Sequence, residues 1–242
     1  MPFATLDIAR RVPFVEIRVQ ESAYKDPDRL LAELDAATEA IGGDDAVYVA
    51  LIVLPPADTA EGVDAQPGGL SRRTLELLPQ PTIAVVEGAT TGVAFAIALA
   101  CDVRVGATDA SFAYSATGAS AAPALGITQR LPRIIGRTRA SEMILLGERI
   151  DAATALSWGL LNAVAPRGEA LARAETIAGS IADRGPIAVR FAKEAIARGL
   201  DMPLDQALRY ETDLTIILQT TADRSEGVRA FLEKRAPKFE GK

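Results

Sequence analysis

EGATTGVAFAIALACDVRV, residues Glu87 to Val105, is the stretch on which the reading of this chain turns. The β-type run TIAVV, Thr82 to Val86, leads into it. A Gly/Thr turn follows, then an apolar helical run, then Cys101-Asp102 and a second β-type run. A strand–turn–helix of this kind presents the unbonded N–H groups of the first helical turn to whatever lies in front of them. Between Glu87 and Asp102 the stretch holds no carboxylate, histidine or lysine. Any chemistry at such a turn therefore belongs to the backbone.

The rest of the composition narrows the classes open to the chain. Its 242 residues are 49% hydrophobic and 24% charged, the balance of a soluble globular protein of one large domain or a core with an appendage. Aromatic residues make up only 5%, which predicts a core of small, closely packed side chains. A net charge of −6 argues against nucleic acid or an anionic membrane as partner. Basic residues still cluster at 130–139 and 234–242, so an anionic small ligand stays open. With no histidine, imidazole zinc sites, Ser-His-Asp triads and histidine bases are excluded. Cys101 alone makes neither a disulfide nor a multi-cysteine metal site, and at the end of an apolar helix it reads as a buried hydrophobe. The N-terminal residues lack an apolar signal-like core and no membrane-length apolar run follows, which predicts a cytoplasmic protein.

Outward from the opening stretch, FVEIRV (14–19) alternates like a half-buried strand. Asp26-Pro27-Asp28 opens a helix with Leu30, Leu31, Leu34, Ala37 and Ile41 on one face, ended by Gly42-Gly43. Val47 to Leu54 is a continuous apolar run, as expected of a strand covered on both faces. A loop rich in turn formers runs from Pro55 to Gly69, and a short helix from Ser71 to Leu78. Strands are expected at Val103–Val105 and Ser111–Tyr114, followed by the small-residue loop SATGASAAPALG. Thr128 to Leu146 is helical, with interruptions expected at Pro132 and Gly136. After Gly147 the pattern is almost purely helical. An α/β core over residues 1–147 and a helical region over 148–242 are the expected division.

The run PxIAxVxGxxxGxxxxxALACDxR closely resembles the crotonase superfamily, the enoyl-CoA hydratase/isomerase family. So do ITQRLPRIIGRTRASEMILLGERIDAATALSWGLLNAV and the closing EGVRAFLEKRAPKF, in the family's order and spacing. The resemblance implies a crotonase-like ββα spiral core, a C-terminal helical trimerisation region, and a trimer or dimer of trimers. It implies an acyl-CoA ligand, with coenzyme A arriving as part of the substrate and no permanently bound cofactor or metal. In that family two backbone N–H groups form an oxyanion hole around the thioester carbonyl, which stabilises a developing oxyanion without any particular side chain. By position, Val93 in Gly92-Val93-Ala94 is one donor. Val63 in Glu61-Gly62-Val63-Asp64 is the other, in a loop shorter than the family's usual one. Glu61 and Asp64 flank the ligand there. Phe231 and Lys234 resemble the aromatic and cationic residues that meet CoA across a subunit boundary.

Family hydratases carry two glutamates, and by position these are Ala96 and Ala116 here. Hydration needs a water deprotonated on one side of the double bond and a proton delivered on the other, so ordinary hydratase chemistry is not expected. Tyr114, Ser115, Thr117 and Ser120 are hydroxyls able to orient a substrate or water, and none is a good base unaided. Asp58, Glu61 and Asp64 are the carboxylates in reach by sequence. Val93 and Ala94 require ordinary backbone dihedrals where the family has glycine, and Phe95 reads as a core filler. Three readings follow. The first is an enzyme of divergent chemistry such as isomerisation, decarboxylation or thioester hydrolysis, in lipid or polyketide metabolism. The others are a non-catalytic acyl-CoA-binding or partner subunit, and a structural oligomer that no longer binds CoA.

Overall fold

The computed structural model describes residues 3–58, 74–114 and 125–242. In chain order its elements begin with β1 (Leu6–Arg11), β2 (Phe14–Val19), a 3-10 turn (Glu21–Lys25), α1 (Pro27–Gly42) and β3 (Val49–Leu54). Next come α2 (Thr74–Leu77), β4 (Thr82–Val86), β5 (Ala89–Thr90), α3 (Gly92–Ala100), β6 (Val103–Ala107) and β7 (Ser111–Ala113). They continue with α4 (Ile127–Ile135), α5 (Arg137–Leu146), β8 (Arg149–Asp151), α6 (Ala152–Ser157) and β9 (Ala163–Ala165). Four helices close the chain: α7 (Ala170–Ala182), α8 (Pro186–Gly199), α9 (Leu204–Gln219) and α10 (Ala222–Glu233).

Among the described residues, a main sheet runs in the order β1-β2-β3-β4-β6-β9. The β1–β2 pair is antiparallel and the others are parallel. A small sheet, β5-β7-β8, includes β5 just before the turn into α3, with β5–β7 parallel and β7–β8 antiparallel. The unbroken apolar run of β3 has a direct cause. Ala50, Ile52 and Leu54 join the core cluster that contains α1 and α3, while Val49, Leu51 and Val53 join a second cluster with Ala170, Ala174 and Ala178 of α7. Both faces of the strand are covered, so neither carries a polar alternation. The i, i+4, i+8 alanines let α7 lie close on the sheet.

Three readings of the sequence need correction. The strand expected from Val47 starts at Val49. Pro132 does not interrupt its helix: α4 runs through it, held by buried Ile127, Leu131 and Ile135, and ends at Gly136 with φ +84°. The region after Gly147 is not purely helical, because β8 and β9 lie in it and β9 supplies an edge strand of the main sheet. Three-residue strands are too short to show a period, and tertiary pairing alone forms them.

The Cys101-Asp102 pair at the end of α3 is a structural junction. Cys101 is buried, its thiol donates to the Ile97 carbonyl at 3.4 Å, and burial pushes its pKa up to about 12. It is not a nucleophile at neutral pH. Asp102 accepts from the amide and hydroxyl of Thr82 at 2.7 and 2.8 Å and pairs with Lys193 of α8 at 2.7 Å. Arg104, also buried, donates to the carbonyls of Cys101 (2.6 Å), Ala98 (3.3 Å) and Leu160 (2.7 Å). A cation thus closes the carbonyl end of α3, where the helix dipole is negative.

The C-terminal segment folds back on the helices. Lys238 N–H donates to Glu226 at 2.9 Å, Glu240 N–H to Asp223 at 2.8 Å, and Phe239 packs beside Gly185 and Gly227. Hydrogen bonds from Arg235 and Arg229, then from the Lys238 amide, hold the Glu226 carboxyl far below the usual carboxylate range. A lowered folded pKa means that the stability from Glu226 is full above its unfolded value of about 4.3 and is lost as pH falls below it. Glu226→Gln is therefore expected to melt below the wild type near pH 7, with the gap narrowing progressively as pH falls below about 4. Melting curves across that range check it, and a gap independent of pH refutes the assignment.

Candidate functional site

The site is built from the turn before α3. After β4 the chain passes Gly88 at φ +69°, where a Cβ would stand 3.1 Å from Pro56. Two loops, one after β3 and one after β4, approach closely here, and the positive φ itself favours glycine. Ala57 then fastens the first loop to the second. Its N–H donates to Ala89 at 2.7 Å, and its carbonyl accepts from the Thr91 amide at 3.1 Å and the Thr91 hydroxyl at 2.7 Å.

That last bond decides the character of the turn. Thr91 stands at the N-cap of α3, where a threonine ordinarily accepts from a first-turn N–H. Its hydroxyl instead serves Ala57, and no side-chain cap bond forms. The first turn of α3, Val93 included, therefore gets no capping bond from the Thr91 side chain at the positive end of the helix dipole. Gly92 has φ +53°, whereas Val93 and Ala94 are not among the left-handed residues. The replacements of glycine are accommodated because only Gly92 needs the special conformation.

Every residue of α3 is buried. Ala96 is fully enclosed in the main core cluster, and Phe95 packs on Phe112 with ring centroids 5.8 Å apart. Phe95 is thus core, as its position predicts. Tyr114, just beyond β7, is nearly buried, which raises the pKa of its hydroxyl and keeps it a neutral group at pH 7. Asp58 ends the described part of the first loop and is held by Arg149 of β8 at 2.5 Å. Glu61, Val63, Asp64, Ser115, Ala116, Thr117 and Ser120 lie outside the described residues.

Phe231 and Lys234 lie at the far end of α10, which packs against α9. Phe231 is 83% exposed, too much for an aromatic serving its own chain's core. Lys234 takes the left-handed C-cap conformation at φ +52°. Sequence reading missed two members of the site, Thr91 and Arg149. Their partners Ala57 and Asp58 are 34 and 91 residues away, so no local pattern announces either contact.

Comparison with known proteins agrees with this architecture. The family described as enoyl-CoA hydratase/isomerase matches residues 69–242. A probable mitochondrial enoyl-CoA hydratase 2 of Arabidopsis thaliana is 41% identical over 69% of this chain and 56% of its own length. A putative enoyl-CoA hydratase/isomerase of Bacillus subtilis is 41% identical over 69% of this chain and 64% of its own. The matched region thus spans less than two thirds of either relative. The crystal structure of an enoyl-CoA hydratase from Bacillus anthracis superposes with a TM-score of 0.87 at 33% identity, covering 98% of this chain and 100% of that one. One from Geobacillus kaustophilus gives 0.90 at 31% identity, covering 100% and 98%. The overall fold is therefore shared, and the chain belongs to the enoyl-CoA hydratase/isomerase family, the crotonase superfamily.

Proposed function

We propose that this chain binds an acyl-CoA thioester and polarises its carbonyl with the backbone N–H groups of Val93 and Val63, without the family's glutamate pair. The first turn of α3 without a Thr91 capping bond, because that hydroxyl is committed to Ala57, is the observation that carries this reading. Ala96 and Ala116 hold no proton to exchange, so the reaction is an isomerisation, decarboxylation or thioester hydrolysis that draws on a hydroxyl or on the substrate itself. A second reading, acyl-CoA binding without turnover as a partner subunit, is favoured by the complete burial of Ala96 in the core. Coenzyme A enters with the substrate, and no resident cofactor or metal is assigned.

The exposed surface of the C-terminal helices supports an assembly. Leu200, Leu204, Leu208, Ile216, Phe231 and Leu232 of the C-terminal helices are exposed, and the helices bury few apolar residues of their own. Such a surface calls for a partner. We assign it to a homotrimer or dimer of trimers in which Phe231 and Lys234 reach the CoA of a neighbour. Light scattering should give three or six times 25.5 kDa. Among the described residues no helix is long and apolar enough to cross a membrane, and the cytoplasm is the compartment we assign.

Infrared difference spectroscopy of bound crotonyl-CoA tests the carbonyl contact directly. A polarised thioester absorbs at lower frequency, so the wild type should red-shift the band. Val93→Pro removes one donor where a first-turn proline is tolerated, and should abolish most of the shift. At saturating ligand, about 100 times Kd, the wild type should also gain about 2.7 kcal/mol. That is a rise in Tm of about 5–10 °C for a chain of this size. Neither a shift nor a rise in Tm would return the chain to the structural-oligomer reading.

A further inference from the structure

The small sheet beside the α3 turn carries a side chain, Arg149, to which the proposed reaction assigns no role. Arg149 of β8 stands opposite Ala113 of β7, and Ser111 stands opposite Ala89 of β5. Side chains two apart on a strand share a face, so Arg149, Ala113, Ser111 and Ala89 lie on one surface of this sheet. Ile150 and Phe112, on the other surface, are buried. Across the shared face the Arg149 guanidinium donates to Ser111 Oγ at 3.1 Å and to Asp58 Oδ1 at 2.5 Å. One planar fork thus spans three segments: β8, β7 and the loop end at Ala57-Asp58. Backbone bonds complete the frame, because Ala57 N–H donates to Ala89 and Ser111 N–H donates to Gly88 at 3.0 Å.

We propose that Arg149 is a positioning residue that braces the loop end at Asp58 and the strand β7 against the α3 turn. It sets the geometry in which the Val93 N–H meets a ligand carbonyl. Asp58 is, on this reading, the brace's anchor and not a base. The inference rests on the proposed acyl-CoA site, and its two arms separate the two ideas. The pair is partly exposed, with side chains 40% and 64% accessible, so its effect is modest in size. A contribution of up to about 1 kcal/mol corresponds to a change of about fivefold or less.

Hydrogen exchange is read at the Ala57 and Ser111 amides, which needs no ligand. Arg149→Met and Asp58→Asn should each speed exchange there by about 3- to 5-fold. The double variant should match the single ones, because both remove the same contact. Arg149→Lys should restore part of the protection, since an ammonium can pair with Asp58 but cannot span the fork. Wild-type exchange rates in both single variants overturn the brace, whatever the protein binds. The second arm is the carbonyl band of bound crotonyl-CoA. Arg149→Met should reduce its shift while the Tm of the free protein stays within about 4 °C of wild type. An undiminished shift in Arg149→Met refutes the positioning role. Absence of any shift in the wild type refutes the acyl-CoA reading instead, and the exchange arm then decides the brace alone.

Discussion

Crotonyl-CoA incubated with the purified protein is expected to stay unhydrated. Each general acid or base in such a reaction is worth about 10²- to 10⁴-fold, so loss of both lowers turnover by about 10⁴-fold or more. Ala96 and Ala116 offer neither group. Formation of the hydroxyacyl product, followed by chromatography, is the readout. A rate near the ordinary enzyme median of about 10 s⁻¹ would mean that the acid and base are supplied from elsewhere. Grafting a carboxylate back is expected to fail as well. Ala96 is fully buried among apolar neighbours, so Ala96→Glu adds volume and an unpaired charge to a packed core. It should cost about 2–4 kcal/mol and lower Tm by about 5–15 °C. An Ala96→Glu protein as stable as wild type would show that the side chain has an open, solvated direction, and the hydratase question would reopen.

Lys193→Met is expected to be the most damaging single change away from the site. The Lys193 side chain is only 8% exposed and makes three contacts, to Asp102 at 2.7 Å, Gln80 carbonyl at 3.0 Å and Leu75 carbonyl at 3.1 Å. Those three partners belong to the junction after α3, the approach to β4 and α2. Methionine fills the space but donates nothing, so an aspartate and two carbonyls lose their partner. A loss of about 2–4 kcal/mol follows, or about 5–15 °C in Tm. Calorimetry of the variant at neutral pH reads it, and a change below about 2 °C would show that water replaces the ammonium at no cost. Because Asp102 also holds the Thr82 amide and hydroxyl, the ligand-facing end of α3 should suffer less than its other end.

The sequence carried the parts of the fold that depend on local burial. The run from Val49 to Leu54 is apolar at every position because two clusters claim alternate residues, and that is visible without coordinates. The face of α1 is equally plain, since Leu30, Leu31, Leu34, Ala37 and Ile41 all prove buried. β1 escaped notice because only Leu6 of its six residues is buried, so no alternation marks it. β8 and β9 escaped because three residues hold no period. At the candidate site, position in the sequence supplied the expectation of the turn before α3 and of alanine at 96 and 116. The role of Asp58 was not legible: by sequence it is one of three carboxylates in reach of the site, and Arg149 claims it.

What the sequence by itself determined is therefore the family, the buried helix α3, and the absence of an acid or base at residues 96 and 116. These are recorded in the order and spacing of neighbouring residues, which periodicity and motif register preserve. What only the tertiary structure decided is how the turn is left open and held. Thr91 gives its hydroxyl to Ala57, Arg149 bridges Asp58 and Ser111, and Asp102 turns out to anchor Lys193. Each is a directional bond between groups 34 or more residues apart, and such a bond exists only once the chain has brought its ends together.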